Sequence, residues 1–333
     1  MYFPLRGGFG RRLRRLPPQV LRAVDGVDLD VREGEMVGLV GESGCGKSTL
    51  GRCIVGLYAP SAGEVRFRGE LLPPKRDRET RRRIQMVFQD PYSSLNPRMT
   101  VGQMLRELLR VHRVVPPTSV EARCAELLDL VGLAPRSLDA YPHQFSGGQR
   151  QRVSIARALA LEPTLLVADE PVSALDVSVQ ATVLNLLEEL RERLGLSILL
   201  IAHNMAVVRH TCERVAVMYL GRIVETAPTE VVFSNPRHPY AQGLLRAVPR
   251  LVPGRERAVA AVAGDPPSPI DLPTGCRFHP RCPVAQVPTC HEDDPVLTPG
   301  PGDSRHGAAC HFAWTEAPPA HVPEVELDLE GAP

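Results

Sequence analysis

The stretch Gly41–Thr49, GESGCGKST, constrains the fold of this chain more than any other feature. It matches the pattern Gly-x4-Gly-Lys-Ser/Thr, which is typical of a loop that binds the phosphates of a nucleotide. A short apolar run, Met36–Val40, precedes it, and a helix-like run follows from Thr49. The sequence therefore predicts a strand, a phosphate loop and a helix whose positive N-terminal end faces an anion.

The residue types in this loop fit that chemistry. Its glycines let backbone N–H groups come close to an anion. Lys47 puts a flexible point charge on the β- and γ-phosphates, and the Ser48 hydroxyl can ligate Mg²⁺. Lys47 and Lys75 are the only lysines among 39 Lys and Arg residues, so a chance match to the motif is improbable. The predicted nucleotide-binding residues here are Gly41, Ser43, Gly44, Cys45, Gly46, Lys47, Ser48 and Thr49.

Composition excludes several other functions. A net charge of +1 gives no bulk attraction to nucleic acid or to an anionic membrane. The longest apolar run, Leu196–Ala202, is far shorter than the ~20 residues that span a bilayer, and the N-terminus lacks the apolar region of a signal peptide. We therefore expect a cytoplasmic protein without nucleic-acid partners, whose eight cysteines are reduced.

Strand-like and helix-like runs alternate, which predicts an α/β fold with a mostly parallel sheet covered on both faces. Residues 91–160 hold only helical runs, among them Val101–Leu109 and Ala122–Val131, and predict an inserted helical subdomain. The N-terminal 22 residues, with their basic arm (Arg11, Arg12, Arg14 and Arg15), are expected to be irregular. The predicted strands are Ala23–Val31, Met36–Val40, Glu64–Arg68, Ile84–Phe88, Thr164–Asp169, Ser197–His203 and a hairpin over Arg214–Glu225.

These patterns divide the chain into three parts. Residues 1–231 form a nucleotide-binding domain with the helical subdomain at about 90–160. Residues 232–315 form a proline-rich extension with four cysteines. Residues 316–333, rich in proline and acidic side chains, are expected to be disordered.

Two carboxylates follow the apolar run that ends at Asp169. Asp169 is expected at the carboxyl end of a strand beside the phosphate loop, where it can hold Mg²⁺ directly or through water. Glu170 comes next and can polarise a water molecule for attack on a γ-phosphate. An exposed acidic turn is the alternative interpretation.

The stretch Phe145–Gln149, FSGGQ, opens a helical run with two adjacent glycines. Bare backbone N–H groups at a positive helix end predict a second anion site, made by Ser146, Gly147, Gly148 and Gln149. One chain does not need two such sites for one nucleotide unless the second serves a partner's nucleotide. The alternative is a Ser146 N-cap with glycines that allow tight packing.

Taken together, these motifs resemble those of the ATP-binding subunits of ABC transporters. Gly41–Thr49 matches the Walker A motif, Phe145–Gln149 the signature motif and Leu165–Glu170 the Walker B motif. Gln89 matches the Q-loop, Asp176 the D-loop and His203 the switch histidine. The order and spacing agree over residues 23–225.

The resemblance implies a P-loop NTPase of the ABC type that hydrolyses ATP with Mg²⁺ as a head-to-tail dimer. Each ATP would lie between the Walker A motif of one subunit and the signature motif of the other. Glu170, His203 and Gln89 would be the catalytic residues, with Glu170 acting on the water and His203 on the γ-phosphate. Ser48, Asp169 and Gln89 would serve the metal, and Asp176 would lie at the nucleotide site.

A narrower resemblance is to the F-type ATPase of oligopeptide and dipeptide importers. It is carried by Val40–Arg52, Ile84–Gly102, Tyr141–Leu159, Asn235–Leu251 and Pro273–Pro283. It implies a second, related ATPase subunit, two permeases, an extracytoplasmic peptide-binding protein and a peripheral location on the cytoplasmic face of the membrane. Importers of nickel or glutathione are alternatives, as is a soluble ABC ATPase of DNA repair or translation. Members of the family stack an aromatic residue on adenine, and Phe3 or Tyr2 is the candidate. The strand before that residue is expected to be absent or short.

Four cysteines of the extension, Cys276, Cys282, Cys290 and Cys310, have the spacing C-x5-C-x7-C-x19-C. Clustered thiols in a short proline-rich segment favour metal ligands, and four thiolates suit a [4Fe-4S] cluster. Zinc and metal-free thiols remain alternatives, and nearby histidines (His279, His291, His306 and His311) can replace a missing ligand. The other four cysteines are expected to be packing residues.

Overall fold

The computed structural model describes residues 1–5, 19–247, 262 and 264–315, and its main feature is a sheet of eight strands. Five neighbouring strands are parallel, and three further strands continue the sheet in antiparallel pairs. In spatial order the strands are β11 (Thr298–Gly300), β12 (Asp303–Ala308), β10 (Arg222–Pro228), β9 (Arg214–Tyr219), β3 (Met36–Val40), β8 (Ser197–Ala202), β7 (Leu165–Asp169) and β6 (Ile84–Val87).

Two small antiparallel sheets accompany the large one. They are formed by β1 (Tyr2–Pro4) with β2 (Val20–Arg22), and by β4 (Arg66–Phe67) with β5 (Glu70–Leu71). The central strands of the large sheet, β9, β3, β8 and β7, are buried on both faces, as a parallel sheet requires. Met36 and Val40 of β3 join one core cluster, whereas Val37 and Leu39 join the other.

Helices cover these faces, and the residues at their N-termini explain where several begin. Thr100 and Gln103 form a reciprocal capping box, and Asp77 and Asn204 cap other helices with their side chains. The helices are α1 (Lys47–Ile54), α2 (Arg78–Arg83), α3 (Pro91–Ser94), α4 (Val101–His112), α5 (Val120–Leu130), α6 (Gly147–Leu159), α7 (Val177–Leu194), α8 (Met205–Thr211), α9 (Thr229–Ser234), α10 (Pro239–Arg246) and α11 (Thr289–Glu292).

The inserted helical subdomain agrees with the sequence prediction. Between β6 and β7 the chain forms α3 to α6 and short 3-10 turns, without a strand in that described segment. Leu105, Leu109, Leu127 and Leu128 are completely or almost completely buried where α4 and α5 pack together. The periodic apolar positions that predicted these helices therefore form the subdomain's own core.

The predicted strand at Ala23–Val31 is wrong. Within it, Val24, Val27, Leu29 and Val31 do pack against the second core cluster, and the residues between them are more exposed. Among the described residues the segment nevertheless has no ladder partner and is not a strand, and its chain bends at Gly26, which has a φ of 70°. Alternating burial shows which side of a segment faces the core, but a segment can alternate in this way without pairing its backbone to another strand.

The N-terminal segment also departs from the irregular structure expected of it. Tyr2–Pro4 pairs with Val20–Arg22, so the first strand is present but only three residues long. At Glu64–Arg68 only Arg66–Phe67 is a strand. The basic arm and the predicted disordered tail at 316–333 lie outside the described residues.

The cysteine-containing extension is joined to the nucleotide-binding domain through the large sheet. Strand β12 pairs with β10, with Glu225 opposite Ala308. The Glu225 side chain is completely buried there and accepts hydrogen bonds from the backbone N–H groups of Arg237 (2.8 Å) and His238 (2.7 Å). Its Oε1 also lies 2.8 Å from His306 Nε2. One buried carboxylate thus ties together β10, the segment before α10 and β12.

Replacing Glu225 tests this junction. The Glu225→Ala change leaves two buried N–H groups and the His306 ring without their acceptor, so we expect a loss of about 3 kcal/mol in the free energy of unfolding. Urea unfolding followed by circular dichroism measures it. The exposed Glu230→Ala change on α9 is the control, and equal stability of the two variants would contradict the assignment.

Candidate functional site

The predicted site residues follow strands that end side by side. Parallel pairing sets Val40 of β3 opposite Ala202 of β8, and Asp169 of β7 opposite Ile201 of β8. The segments that leave these strands therefore emerge at one edge of the sheet, where open α/β sheets bind ligands. Three motifs that lie far apart in sequence meet there: the phosphate loop, the Asp169–Glu170 pair and His203.

Two glycines let the phosphate loop pack directly against neighbouring backbone. Gly46 has a φ of 112°, and a Cβ atom built on it would lie 2.0 Å from the carbonyl oxygen of Ala23. A Cβ atom on Gly41 would lie 2.1 Å from the carbonyl oxygen of Met218. No side chain fits at either position, so these glycines are required by the packing as well as by access to an anion.

Lys47 begins α1 and is almost completely buried, with 3% of its side chain exposed. Its ammonium group donates to the carbonyl oxygens of Gly41 (2.7 Å) and Glu42 (3.0 Å), both in its own loop. It also lies 4.0 Å from Glu170 Oε1. The loop thus holds its cation at its centre, next to the acidic residue predicted to act in catalysis.

Ser48 and Asp169 come together as predicted for a magnesium site. The Ser48 hydroxyl donates to Asp169 Oδ1 at 2.8 Å. Burial raises the pKa of Asp169, although the Ser48 hydrogen bond acts in the opposite direction. Hydroxyl and carboxylate oxygens are the hard ligands that Mg²⁺ takes from a protein when substrate phosphates supply others, so the pair fits that ion.

Glu170 is the residue at which the other predicted catalytic groups meet. Gln89 donates from Nε2 to Glu170 Oε2 at 3.0 Å, and His203 Nδ1 lies 3.5 Å from the same oxygen. Glu170 has a φ of 45°, uncommon for a residue with a side chain, and its N–H group donates to the Ile201 carbonyl at 3.0 Å. Backbone strain of this kind is concentrated at functional sites.

The signature residues occupy the start of α6, and their contacts agree with both interpretations of the sequence. Ser146 is the N-cap and forms a capping box with Gln149. A Cβ atom on Gly148 would lie 2.4 Å from Val179, so that glycine also permits close packing against α7. Asp176 is the N-cap position of α7 and makes no side-chain cap there. Capping and packing within this chain thus explain why Ser146 and Gly148 have these residue types. The second anion site stays a prediction.

The adenine contact also stays a prediction. Phe3 lies in β1, and its ring meets that of Tyr58, which follows α1, edge to face at a centroid distance of 5.6 Å. Tyr2 is partly exposed and its hydroxyl binds Asp25.

The cysteines of the extension lie near one another without forming a metal site. Burial raises the pKa of Cys276 to about 12, and Cys290, Cys310 and Cys282 act in the same direction. In the parts of the chain that the structure describes, however, no three His, Cys, Asp or Glu side chains are arranged to hold a metal ion. The thiols as placed therefore do not fit an iron–sulfur cluster or zinc. The four remaining cysteines (Cys45, Cys53, Cys124 and Cys212) are buried, which confirms their packing role.

Sequence reasoning missed one set of contacts to the phosphate loop. Glu42, the second residue of the loop, binds Tyr240 and Arg281 of the extension. Because these partners lie 198 and 239 residues further along the chain, no local pattern could reveal them.

Comparisons with known proteins agree with this geometry. A family model described as "ABC transporter" matches residues 24–173, and one described as "Oligopeptide/dipeptide transporter, C-terminal region" matches residues 224–290. The chain is 51% identical to the oligopeptide transport ATP-binding protein OppF of Salmonella typhimurium over 88% of its own length and 89% of that protein. It is 47% identical to the oligopeptide transport ATP-binding protein AppF of Bacillus subtilis, covering 93% of this chain and 94% of the relative.

Solved structures share the fold. A dimeric ATP-binding cassette in a post-hydrolysis state, bound to ADP and Pi, matches with a TM-score of 0.58 and 31% identity, over 68% of this chain and 96% of that one. The cbiO1 protein of Clostridium perfringens, part of an ABC transporter complex, matches with a TM-score of 0.58 and 30% identity, over 63% of this chain and 84% of that one. No helix among the described residues is long and apolar enough to cross a membrane.

Proposed function

The chain belongs to the ABC transporter family of ATP-binding proteins, and we propose that it is the ATP-hydrolysing subunit of an importer of oligopeptides or dipeptides. The observation that carries this proposal is the meeting of Lys47, Gln89 and His203 around the Glu170 carboxylate, beside the phosphate loop. The C-terminal match over residues 224–290 supports an importer of peptides over a soluble ABC ATPase of DNA repair or translation.

In this proposal, the phosphate loop and the two oxygen ligands bind Mg-ATP. The backbone N–H groups of the loop and the Lys47 ammonium group hold the β- and γ-phosphates. Ser48 and Asp169, together with Gln89, would hold Mg²⁺, and the ion would supply positive charge that neutralises the phosphates. Because an ammonium group has three N–H donors, Lys47 can reach phosphate oxygens while it keeps its contact with the Glu42 carbonyl.

Glu170 orients and polarises the water that attacks the γ-phosphate. Its carboxylate is well placed because Gln89 and His203 both contact Oε2, which fixes the side chain at the edge of the sheet. His203, half of whose side chain is exposed, is free to contact the γ-phosphate. Gln89 links this carboxylate to the helical subdomain that follows it, since α3 begins two residues later.

The second half of each ATP site comes from a partner ATPase subunit. Ser146–Gln149 and Asp176 of this chain face the partner's nucleotide, as the resemblance implies. ATP that bridges two anion sites draws the subunits together, and hydrolysis removes the bridge. The solved cassette that shares this fold is itself a dimer, which supports the arrangement. We propose that the partner is a related subunit rather than a second copy.

The same proposal places the pair of ATPases peripherally on the cytoplasmic face of the membrane, against two permeases. An extracytoplasmic binding protein delivers the peptide to those permeases. The segment from Gln89 through the helical subdomain receives the permeases' coupling helices. No residue of this chain contacts the cargo, so nickel and glutathione are alternatives that transport assays distinguish.

Two substitutions separate binding from chemistry. Glu170→Gln removes the carboxylate charge that acts on water, so we expect ATP binding to persist, ATP-dependent dimers to accumulate and turnover to fall by about 10²- to 10³-fold. Lys47→Ala removes charge-assisted contacts to the phosphates and should weaken ATP binding more than about tenfold. Phosphate release, equilibrium binding of a fluorescent ATP analogue and light scattering measure these effects.

Matched controls exist in the chain. Lys75→Ala removes the other lysine, which is exposed, and Glu107→Gln changes an exposed carboxylate in the same way as Glu170→Gln. Both should behave like the parent protein. Turnover by Glu170→Gln at the parental rate would refute the role given to Glu170.

The importer itself is tested by reconstitution. Co-expression with the two permeases of a peptide importer should allow this chain to be purified as part of a membrane complex. That complex in vesicles, with the peptide-binding protein outside, should take up labelled dipeptides or oligopeptides only with ATP inside and with Glu170 intact. Uptake of nickel or glutathione but not of peptides would contradict the peptide assignment.

A [4Fe-4S] cluster at Cys276, Cys282, Cys290 and Cys310 is a separate prediction, which the present arrangement of the thiols does not favour. It requires protein purified without oxygen to be brown and to contain about four irons per chain. Colourless protein with neither iron nor zinc would leave the thiols metal-free and refute the cluster.

A further inference from the structure

Glu42 is the residue of the phosphate loop through which the extension contacts the ATP site. Its carbonyl oxygen accepts a hydrogen bond from the Lys47 ammonium group at 3.0 Å. Its N–H group donates to the Tyr240 hydroxyl at 2.8 Å. Its carboxylate binds both terminal nitrogens of Arg281, at 2.7 and 2.8 Å. Two of these three contacts come from the extension.

Both partners are fixed in position. Tyr240, on α10, is completely buried and packs against the ring of Tyr219 on β9 at a centroid distance of 4.6 Å. The Arg281 side chain is 5% exposed and lies over the same Tyr219 ring, 5.8 Å from its centre. A planar guanidinium group that makes two parallel bonds to a carboxylate holds it in one orientation. The extension thus presents a rigid surface to the loop.

Besides orienting the Glu42 side chain, Arg281 neutralises its negative charge. A carboxylate in a loop that binds a triphosphate repels the ligand unless its charge is neutralised. The Arg281 guanidinium group is positively charged at every physiological pH, and its bidentate hydrogen bonds with Glu42 raise its pKa further. Because the Arg281 side chain is 5% exposed and the Glu42 side chain 29%, salt screens this pair less than it screens a fully exposed one.

We propose that the C-terminal extension sets the ATP affinity of the phosphate loop, with Arg281 and Tyr240 as positioning residues that hold Glu42 and, through its carbonyl, Lys47. Arg281 neutralises the Glu42 carboxylate, and Tyr240 fixes the backbone beside the lysine. This inference rests on ATP being the ligand of the loop, as in the proposed function. It assigns to residues outside the cassette a part in nucleotide binding.

A double-mutant cycle on the full chain tests the proposal. Arg281→Ala should weaken Mg-ATP binding about tenfold and raise the KM for ATP equally, with kcat changed less than about twofold. Adding Glu42→Gln to Arg281→Ala should restore affinity to within about threefold of the parent, because no unpaired carboxylate then faces the phosphates. Arg305→Ala removes an exposed arginine of the same extension, which pairs with Asp303, and should change nothing.

Tyr240→Phe provides a second, milder variant that keeps the buried ring. It should weaken Mg-ATP binding about threefold, with a midpoint of thermal unfolding close to that of the parent. If Arg281→Ala folds poorly, the ATP affinity of Tyr240→Phe still decides the test.

Three results would overturn the inference. One is unchanged ATP affinity in both Arg281→Ala and Tyr240→Phe. Another is a loss of affinity in Arg281→Ala that Glu42→Gln does not restore, because the arginine would then serve only to dock the extension. The third is a parent chain that binds Mg-ATP no better than Lys47→Ala, and this result would remove the proposed function as well.

Discussion

The parallel register of β3, β8 and β7 is the constraint on which the site depends. Because these strands run side by side in the same direction, each ends at the same edge of the sheet, and the residue that follows each strand reaches its neighbours there. Lys47 precedes Glu170 by 123 residues and His203 by 156 residues in the sequence, yet the three side chains share one small region. A slip of one residue in this register would move Asp169 away from Ser48 and separate the metal ligands.

The sequence allowed the α/β fold and the inserted helical subdomain to be predicted, because these depend on local patterns. It also singled out the residues that meet at the candidate site. A phosphate loop needs glycine and lysine at fixed spacing, and Asp169 and Glu170 directly follow an apolar run. The failures came where tertiary structure decides. Ala23–Val31 alternates in burial but lacks a strand beside it. The contacts of Glu42 with Tyr240 and Arg281 join segments that are distant in the sequence. Glu225 likewise contacts His306 only when β12 joins the sheet.

The signature segment shows how one set of residues can serve two purposes. Within a single chain, Ser146 and Gln149 satisfy each other's backbone groups, and Gly148 makes room for Val179. These contacts stabilise the start of α6 and hold its remaining N–H groups in a fixed direction. A helix end that is already ordered loses little entropy when it meets an anion from another subunit. Local stability and the proposed role at a dimer interface are therefore compatible.

The attachment of the extension to the phosphate loop has a consequence for synthesis on the ribosome. Glu42 is made 239 residues before Arg281. At ordinary translation rates of about 5–20 residues per second, roughly 12 to 48 s separate the two. Throughout that interval the nascent cassette carries its nucleotide loop without the guanidinium partner of Glu42. The last quarter of the polypeptide thus supplies the arginine that pairs with a loop made near the beginning. A chain released early would lack this Glu42–Arg281 pair.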